Sequence, residues 1–241
     1  MIPSYRLSHL AKGADYDLAL ARDPLDAYTA RREREILLGL LPRLYPGGLR
    51  RSLDFACGTG RITQLLDGMA EQPYAVDVSA AMLAEAARKC PRTTLFVQDM
   101  TLDPLAIEPV ELVTAFRFFG NAETELRAGA LQAISRVLVP GGYLVVNNHR
   151  NPWSVPAVLL RAAGERQPLD LHYWKLKALL RRAGFRVRRT YGIGGWLYRA
   201  KLLRPEVLDS RRADVLERMS RLRVAGPWCP DAVIVAQRVS S

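Results

Sequence analysis

Cysteine is scarce in this chain. Its three residues, Cys57, Cys90 and Cys229, are odd in number and widely spaced. That argues against a disulfide framework or a cysteine-based zinc site and suits a reducing cytoplasm; no metal site is expected. Lysine is also rare, since thirty of the 35 basic residues are arginine. No stretch approaches the roughly 18 apolar residues that a membrane-spanning helix needs. The opening MIPSYRLSHLAKGADYD has no apolar core of the signal-peptide kind. Internal repeats, low-complexity tracts and long linkers are missing as well. These absences predict a cytoplasmic globular protein without a transmembrane segment.

What is present has the proportions of an ordinary globular domain, 49% hydrophobic and 24% charged over 241 residues. A chain of this length is one domain and can bury a large core without staples. Its charge is unevenly distributed. Residues 1–150 carry 17 basic and 17 acidic side chains, whereas residues 151–241 carry 18 and 7, so the whole net charge of +11 lies in the last part. A protein that coats nucleic acid uniformly would not divide this way.

The first half alternates strand-like and helix-like segments. A helix is expected over 26–45, a buried strand over 51–56, a Gly-rich turn, and a helix over 61–69. A strand over 73–78 leads to a helix over 79–89 with Ser79 as its N-cap. Strands follow over 93–98 and 110–116, then a helix over 122–138 stopped by Pro140-Gly141-Gly142, and a fifth strand over 143–147. Alternation of this kind with apolar strands predicts a parallel sheet covered on both faces. Later the pattern changes. A basic helix over 173–183, a strand over 185–191 and a last strand over 232–239 suggest an antiparallel pair at one edge. Between those strands lie a Gly/aromatic stretch, Gly192 to Tyr198, and a helix expected from Pro205 to Leu222. That helix would gather Leu208, Val215, Met219 and Leu222 near one side, with Arg211, Arg212, Arg218 and Arg221 largely elsewhere.

The strongest local signal is Leu53-Asp54-Phe55-Ala56-Cys57-Gly58-Thr59-Gly60. A glycine-rich turn between a buried strand and a helix lets a ligand approach the backbone, and ligands in open α/β sheets sit at the carboxyl ends of strands. The dinucleotide fingerprint would need Gly or Ala where Thr63 stands. A carboxylate at Asp54 suits an ammonium group better than a pyrophosphate; the alternative is a turn-capping carboxylate. Asp77 ends the second strand, where an acid can accept both hydrogen bonds of a ribose diol, and Met82 nearby could lie against an adenine ring. Asp99, in Gln98-Asp99-Met100, ends the third strand, where it could accept from an adenine amino group. Each acid alone is more often a helix cap or a solvated loop charge. Three of them on three successive strand ends, starting at a Gly-rich turn, read as a binding site.

At this point the chain resembles the class I S-adenosylmethionine-dependent methyltransferases. The resemblance runs from about residue 26 to 191 plus the final strand. It rests on LDFACGTGRIT (53–63), AVDVSAAML (75–83), VQDM (97–100), ELVTAFRFFGNA (111–122) and SRVLVPGGYLVVNNH (135–149). It implies an α/β, Rossmann-like seven-stranded methyltransferase sheet, mostly parallel with the last strand antiparallel. Helices would lie on both faces, with a helical insertion between strands 6 and 7. One methyltransferase domain would fill 1–241, with an N-terminal helical cap (1–48), a cofactor-binding half (49–150) and a substrate-facing half (151–241) that contains the 192–230 insertion. S-adenosyl-L-methionine would be the cofactor. Asp54, Gly58 and Gly60 would hold its methionine end, with Ala56 and Cys57 in the same turn. Asp77 would bind the ribose, with Val78 also at the cofactor, Met82, Asp99 and Met100 would lie at the adenine, and Phe116 beside the sulfonium. Tyr28 or Arg32 could reach it from the first helix. Within the family the motifs resemble a bacterial small-molecule subgroup whose members tailor glycans or secondary metabolites. The Asp/Asn-Pro-Pro-Tyr/Phe motif of many DNA-base and protein-glutamine enzymes is absent, and Phe116-Arg117-Phe118-Phe119 stands there.

The acceptor side is less legible. His149, just after the fifth strand, is the candidate general base; alternatively it and Asn147-Asn148 satisfy loop backbone groups. Arg117 and Asn121 could orient substrate or serve structure. His172, Tyr173 and Trp174 begin a helix and could line the pocket or pack in the core. His9 reads as a tail residue, and Cys57 as a small residue at the turn. The expected reaction is methyl transfer to an O or N atom of a small molecule of glycan or secondary-metabolite type. The basic end suits an anionic acceptor, since arginine pairs well with phosphate and carboxylate. RNA, peripheral contact of the 205–222 helix with anionic lipid, and an arginine-rich solvated surface remain open, nucleic acid being disfavoured. A non-catalytic cofactor-binding interaction protein is the remaining alternative. Oligomeric state is not legible.

Overall fold

A computed structural model describes residues 22–162, 164, 171–195, 205–208, 210–222 and 224–239. His9, and residues 196–198 of the Gly/aromatic stretch, lie outside them. Helix α1 (Pro24–Leu44) starts two residues before the predicted position, because the Asp23 carboxylate accepts from the Leu25 and Asp26 amides as N-cap. Strand β1 (Leu49–Phe55), helix α2 (Thr63–Asp67), strand β2 (Ala70–Asp77), helix α3 (Ala80–Lys89) and strand β3 (Thr94–Val97) follow. Then come β4 (Val110–Ala115), α4 (Thr124–Val137) and β5 (Leu138–Asn148). The last part holds α5 (Val155–Ala162), α6 (Tyr173–Arg182), β6 (Phe185–Ile193), α7 (Pro205–Leu208), α8 (Arg211–Ser220), a 3-10 turn at Gly226–Trp228 and β7 (Asp231–Arg238).

The seven strands form one sheet in the order β3-β2-β1-β4-β5-β7-β6. The pairs among β1 to β5 are parallel, and β7 runs antiparallel to both β5 and β6. Strand period two divides the core into two layers. Leu53, Phe55, Val113, Ala115, Leu144, Val146, Ile234 and Ala236 meet α4 and α6 on one face. Leu49, Leu112, Val145, Val233 and Val235 meet α1 and α2 on the other. Both sides of a strand are therefore apolar, which is why these segments read as hydrophobic runs rather than as alternation.

Three expectations change. Pro140-Gly141-Gly142 does not lie beyond the helix in a loop: β5 begins at Leu138 and runs through it. The sheet register slips between Val110 and Leu112, where a Cβ on Gly142 would come within 2.9 Å of the Glu111 carbonyl oxygen. The helix at Val155–Ala162 was not expected. The single helix from Pro205 to Leu222 is two, α7 and α8, with Ser210 capping the second through the Ala213 amide. Leu208 is buried, but Val215, Met219 and Leu222 face solvent, while Ala213, Glu217 and Ser220 are buried. The buried side of α8 is chosen by its neighbours. Glu217 accepts from the Gly194 amide and Ser220 from the Gly195 amide. No helix among the described residues is long and apolar enough to cross a membrane.

Candidate active site

The sheet order reverses between β1 and β4, so a crevice opens at their carboxyl ends. Three non-glycine residues with left-handed backbone stand along this edge: Ala56 after β1 (φ 53°), Arg117 after β4 (φ 58°) and Arg150 after β5 (φ 56°). Such conformations cost free energy in L-residues and concentrate where a site demands them.

Beside the β1 turn lies a cleft of about 460 Å³, lined by Phe55, Ala56, Val76, Asp77, Val78, Gln98, Asp99, Met100, Thr101, Phe118 and Leu126. Five residues predicted for the cofactor, Ala56, Asp77, Val78, Asp99 and Met100, thus share one space. The Asp77 carboxylate accepts from the Gly58 amide (2.8 Å) and the Ser79 amide (2.9 Å), which ties the Gly-rich turn to the start of α3. Oδ1 of Asp99 accepts from the amide and hydroxyl of Thr101. Gly58 (φ 55°) and Gly60 (φ 84°) supply the turn; a Cβ on Gly60 would come within 3.0 Å of the Ala86 side chain.

Four expected contacts take other positions. Asp54 is buried, and its two oxygens accept from the Thr63 and Thr114 hydroxyls, each at 2.6 Å. Burial pushes its carboxyl up to about 6, and the two threonines pull back only part of that shift. It supports the turn from beneath. Met82 is buried under Gly58, its sulfur 3.5 Å from where a Cβ there would stand. The hydroxyl of Tyr28 donates to Glu217 at 2.6 Å, tying α1 to α8; burial, then Glu217, raises its ionisation well above the usual tyrosine range. Tyr173 packs in the core with its hydroxyl against Thr190 at 3.1 Å, because the first turn of α6 faces the sheet. Cys57 is half-buried, its thiol raised well above the ordinary value mainly by burial. Arg32 pairs with Glu35 and Asp214, and His172 stacks on Trp153 while capping α6.

A second cluster lies at the ends of β4 and β5. Nδ1 of His149 is 2.5 Å from Asp231, the first residue of β7. An antiparallel strand starts where its parallel neighbours end, and pairing of Asn148 with Ala232 sets Asp231 opposite His149. The Asp26 carboxylate of α1 lies 3.0 Å from Arg117, 4.0 Å from Nε2 of His149 and 4.0 Å from Arg150. Asn147 accepts from the Arg117 amide (2.6 Å) and donates to Glu33 (2.7 Å), and Asn121 donates to the Arg117 carbonyl (2.6 Å). Asn121 therefore fixes the strained Arg117 backbone. Phe116 is buried at the end of β4 beneath the Arg61 guanidinium, which pairs with Glu33 at 2.7 Å. Sequence reasoning missed Phe118, Thr101, Asp26, Asp231 and Arg61. Of these only Asp231 had a signal, the start of an antiparallel last strand.

Residues 53–142 match the family model of a methyltransferase domain. An uncharacterized methyltransferase of Geobacillus kaustophilus is 31% identical over 94 residues, which are 39% of this chain and 44% of the relative. The chain thus matches less than half the length of that relative. The N-methyltransferase NodS of Bradyrhizobium japonicum, solved with S-adenosyl-L-homocysteine, superposes with a TM-score of 0.62 at 16% identity, over 98% of this chain and 96% of that one. Magnesium protoporphyrin IX methyltransferase of Synechocystis, also with S-adenosyl-L-homocysteine bound, gives 0.61 at 16% identity over 89% and 85%. At these identities the two structures establish a shared fold.

Proposed function

We propose that the chain is a class I S-adenosylmethionine-dependent methyltransferase and moves the methyl group of that cofactor to an O or N atom of a small molecule. One observation carries this reading. Asp77 and Asp99, at the ends of adjacent strands, line a single cleft with the apolar Ala56, Val78, Met100 and Phe118. Its apolar walls suit a purine face, and its carboxylates suit hydroxyl and amino donors, so the residues present fit an adenosyl group.

In this reading Asp77 receives the ribose hydroxyls, Asp99 the adenine amino group, and Met100 and Phe118 flank the ring. Gly58 and Gly60 let the methionine end approach the backbone above Asp54. Phe116 lies toward the reacting centre. When bound, the cofactor supplies an electrophilic methyl on a sulfonium. The chain's own task is alignment, which contributes up to about 7–11 kcal/mol in favourable cases. Where the acceptor must lose a proton, His149 takes it at Nε2, and Asp231 holds Nδ1–H and steadies the charged ring. Arg117 orients the acceptor, with its backbone held by Asn147 and Asn121.

The exposed Val215, Met219 and Leu222 beside the arginines of α8 support a surface that rests on anionic lipid, with acceptor chemistry carried out in the crevice. Calorimetry with S-adenosyl-L-homocysteine tests the cofactor reading. Micromolar binding that Asp77→Asn weakens is expected; no binding overturns it. Labelled methyl transfer into a cell extract, with ribonuclease and organic-extraction controls, then sorts the acceptor class.

A further inference from the structure

We propose that α5, with Trp153 before it and Trp174 on α6, is a docking surface for an anionic membrane. It is a different surface from α8 and stands independently of the cofactor reading. In α5, Val155, Val158, Leu159 and Ala162 recur at i, i+3, i+4 and i+7. A globular protein normally turns such a stripe to its core. Here all four face solvent, while Pro156 and Ala157 on the other side are buried. Trp153 leads into the stripe and is 47% exposed; Trp174, on the first turn of α6, is 43% exposed. Exposed apolar side chains gathered in this way mark an interaction surface.

The surface is held in place. Buried Asn151 accepts from the Trp153 amide at 3.2 Å and donates to the carbonyls of Pro227 and Cys229. The Trp153 ring stacks on His172 at 4.1 Å, and His172 caps the turn of α6 that carries Trp174. Charge decides the occupant. Neither α5 nor α6 contains an acid, whereas Arg161, Lys175, Lys177, Arg181 and Arg182 are basic. Lys177 lies over the Trp174 ring, 5.4 Å from its centroid. A second copy of the chain, docked through the same face, would set like charges against each other. Nucleic acid would meet the charge through its phosphates but leave the aliphatic stripe in water. An anionic bilayer meets both features. Its acyl region takes Val155, Val158 and Leu159, its headgroups pair with the basic side chains, and tryptophan suits the boundary between them. Because α5 follows β5, at whose end His149 stands, docking there brings the edge of the crevice to the membrane.

The full chain is sedimented with vesicles of phosphatidylcholine alone, and of equal parts phosphatidylcholine and phosphatidylglycerol. Binding is expected to the mixed vesicles and much less to the neutral ones, and it should weaken as sodium chloride screens the charge. Val158→Glu with Leu159→Glu should lower partitioning at least about tenfold, the scale of one apolar side chain returned to water. Trp153→Phe and Trp174→Phe should reduce quenching of the protein's fluorescence by brominated lipid. Met219→Glu, on α8, is the comparison. Partitioning lost in that variant but kept in the α5 pair overturns the proposal, as does equal or absent binding to the two vesicle types. Tighter binding to a single-stranded RNA oligomer, unchanged in the α5 pair, overturns it as well. Thermal melts and calorimetry with S-adenosyl-L-homocysteine should give wild-type values for the α5 pair. Vesicle binding without cofactor binding sinks the methyltransferase reading alone, and cofactor binding without vesicle binding sinks only the docking surface.

Discussion

Nδ1 of His149 and the carboxylate of Asp231 lie 2.5 Å apart although 82 residues separate them. The contact exists because β7 runs back along β5 and begins where β5 ends. A carboxylate on Nδ1 fixes the tautomer and leaves Nε2 facing the crevice. If the acceptor must lose a proton, His149→Ala should lower turnover by about 10²- to 10⁴-fold. Asp231→Asn should lower turnover while leaving calorimetric affinity for S-adenosyl-L-homocysteine unchanged. Full turnover of His149→Ala across pH 6 to 9 would remove the base from the mechanism.

Asp77 joins the Gly-rich turn, the start of α3 and the cleft. Asp77→Asn replaces an acceptor of two amides with a group that can accept at only one end. Cofactor affinity should fall by about 10- to 100-fold, the range of a charge-assisted hydrogen bond. Asp99→Ala should cost less, because Asp99 follows the edge strand β3 and is less buried than Asp77. Titration calorimetry reads both.

Asp54 makes a prediction about pH. Its folded value is raised to about 6 by burial, against about 3.9 in the unfolded chain. The folded state therefore binds more protons between those values, and the stability of the ligand-free protein should fall as pH rises through this window. Ionising Asp54 costs roughly 3 kcal/mol above it. Asp54→Asn keeps partners for Thr63 and Thr114 and removes the titration. Wild type minus Asp54→Asn, by thermal melts from pH 4 to 8, should slope downward and then level off. A flat difference would mean that the carboxyl titrates normally.

Tyr28 and Glu217 link the first helix to the insertion. Tyr28→Phe removes a hydrogen bond to a buried carboxylate that also accepts from the Gly194 amide. A loss of about 1.5–3 kcal/mol is expected, or several degrees in melting temperature for a chain of this size. An unchanged melt would show that the α1–α8 link adds nothing to stability.

Much of the first half of the chain could be read directly. Leu53 to Gly60 announced a strand and a turn, and Asp77 and Asp99 share a cleft because parallel strands present their carboxyl ends on one edge. Local pattern plus one topological rule was enough there. Asp54 and Met82 stand on the expected elements, but both are buried beneath the turn and neither lines the cleft. Spacing along a helix or strand gives the direction of a side chain, not its depth beneath a turn.

By itself the sequence determined the alternation of strands and helices, the two-sided burial of the strands and the acids at their ends, since these follow from hydrophobic period and turn chemistry. Only the tertiary structure decided which distant residues meet. Asp26, Arg117, His149 and Asp231 come from α1, β4, β5 and β7, and no local period connects them. The apolar stripe of α8 faces outward for the same kind of reason. The amides of Gly194 and Gly195 must find acceptors, and Glu217 and Ser220 on the opposite side of the helix provide them.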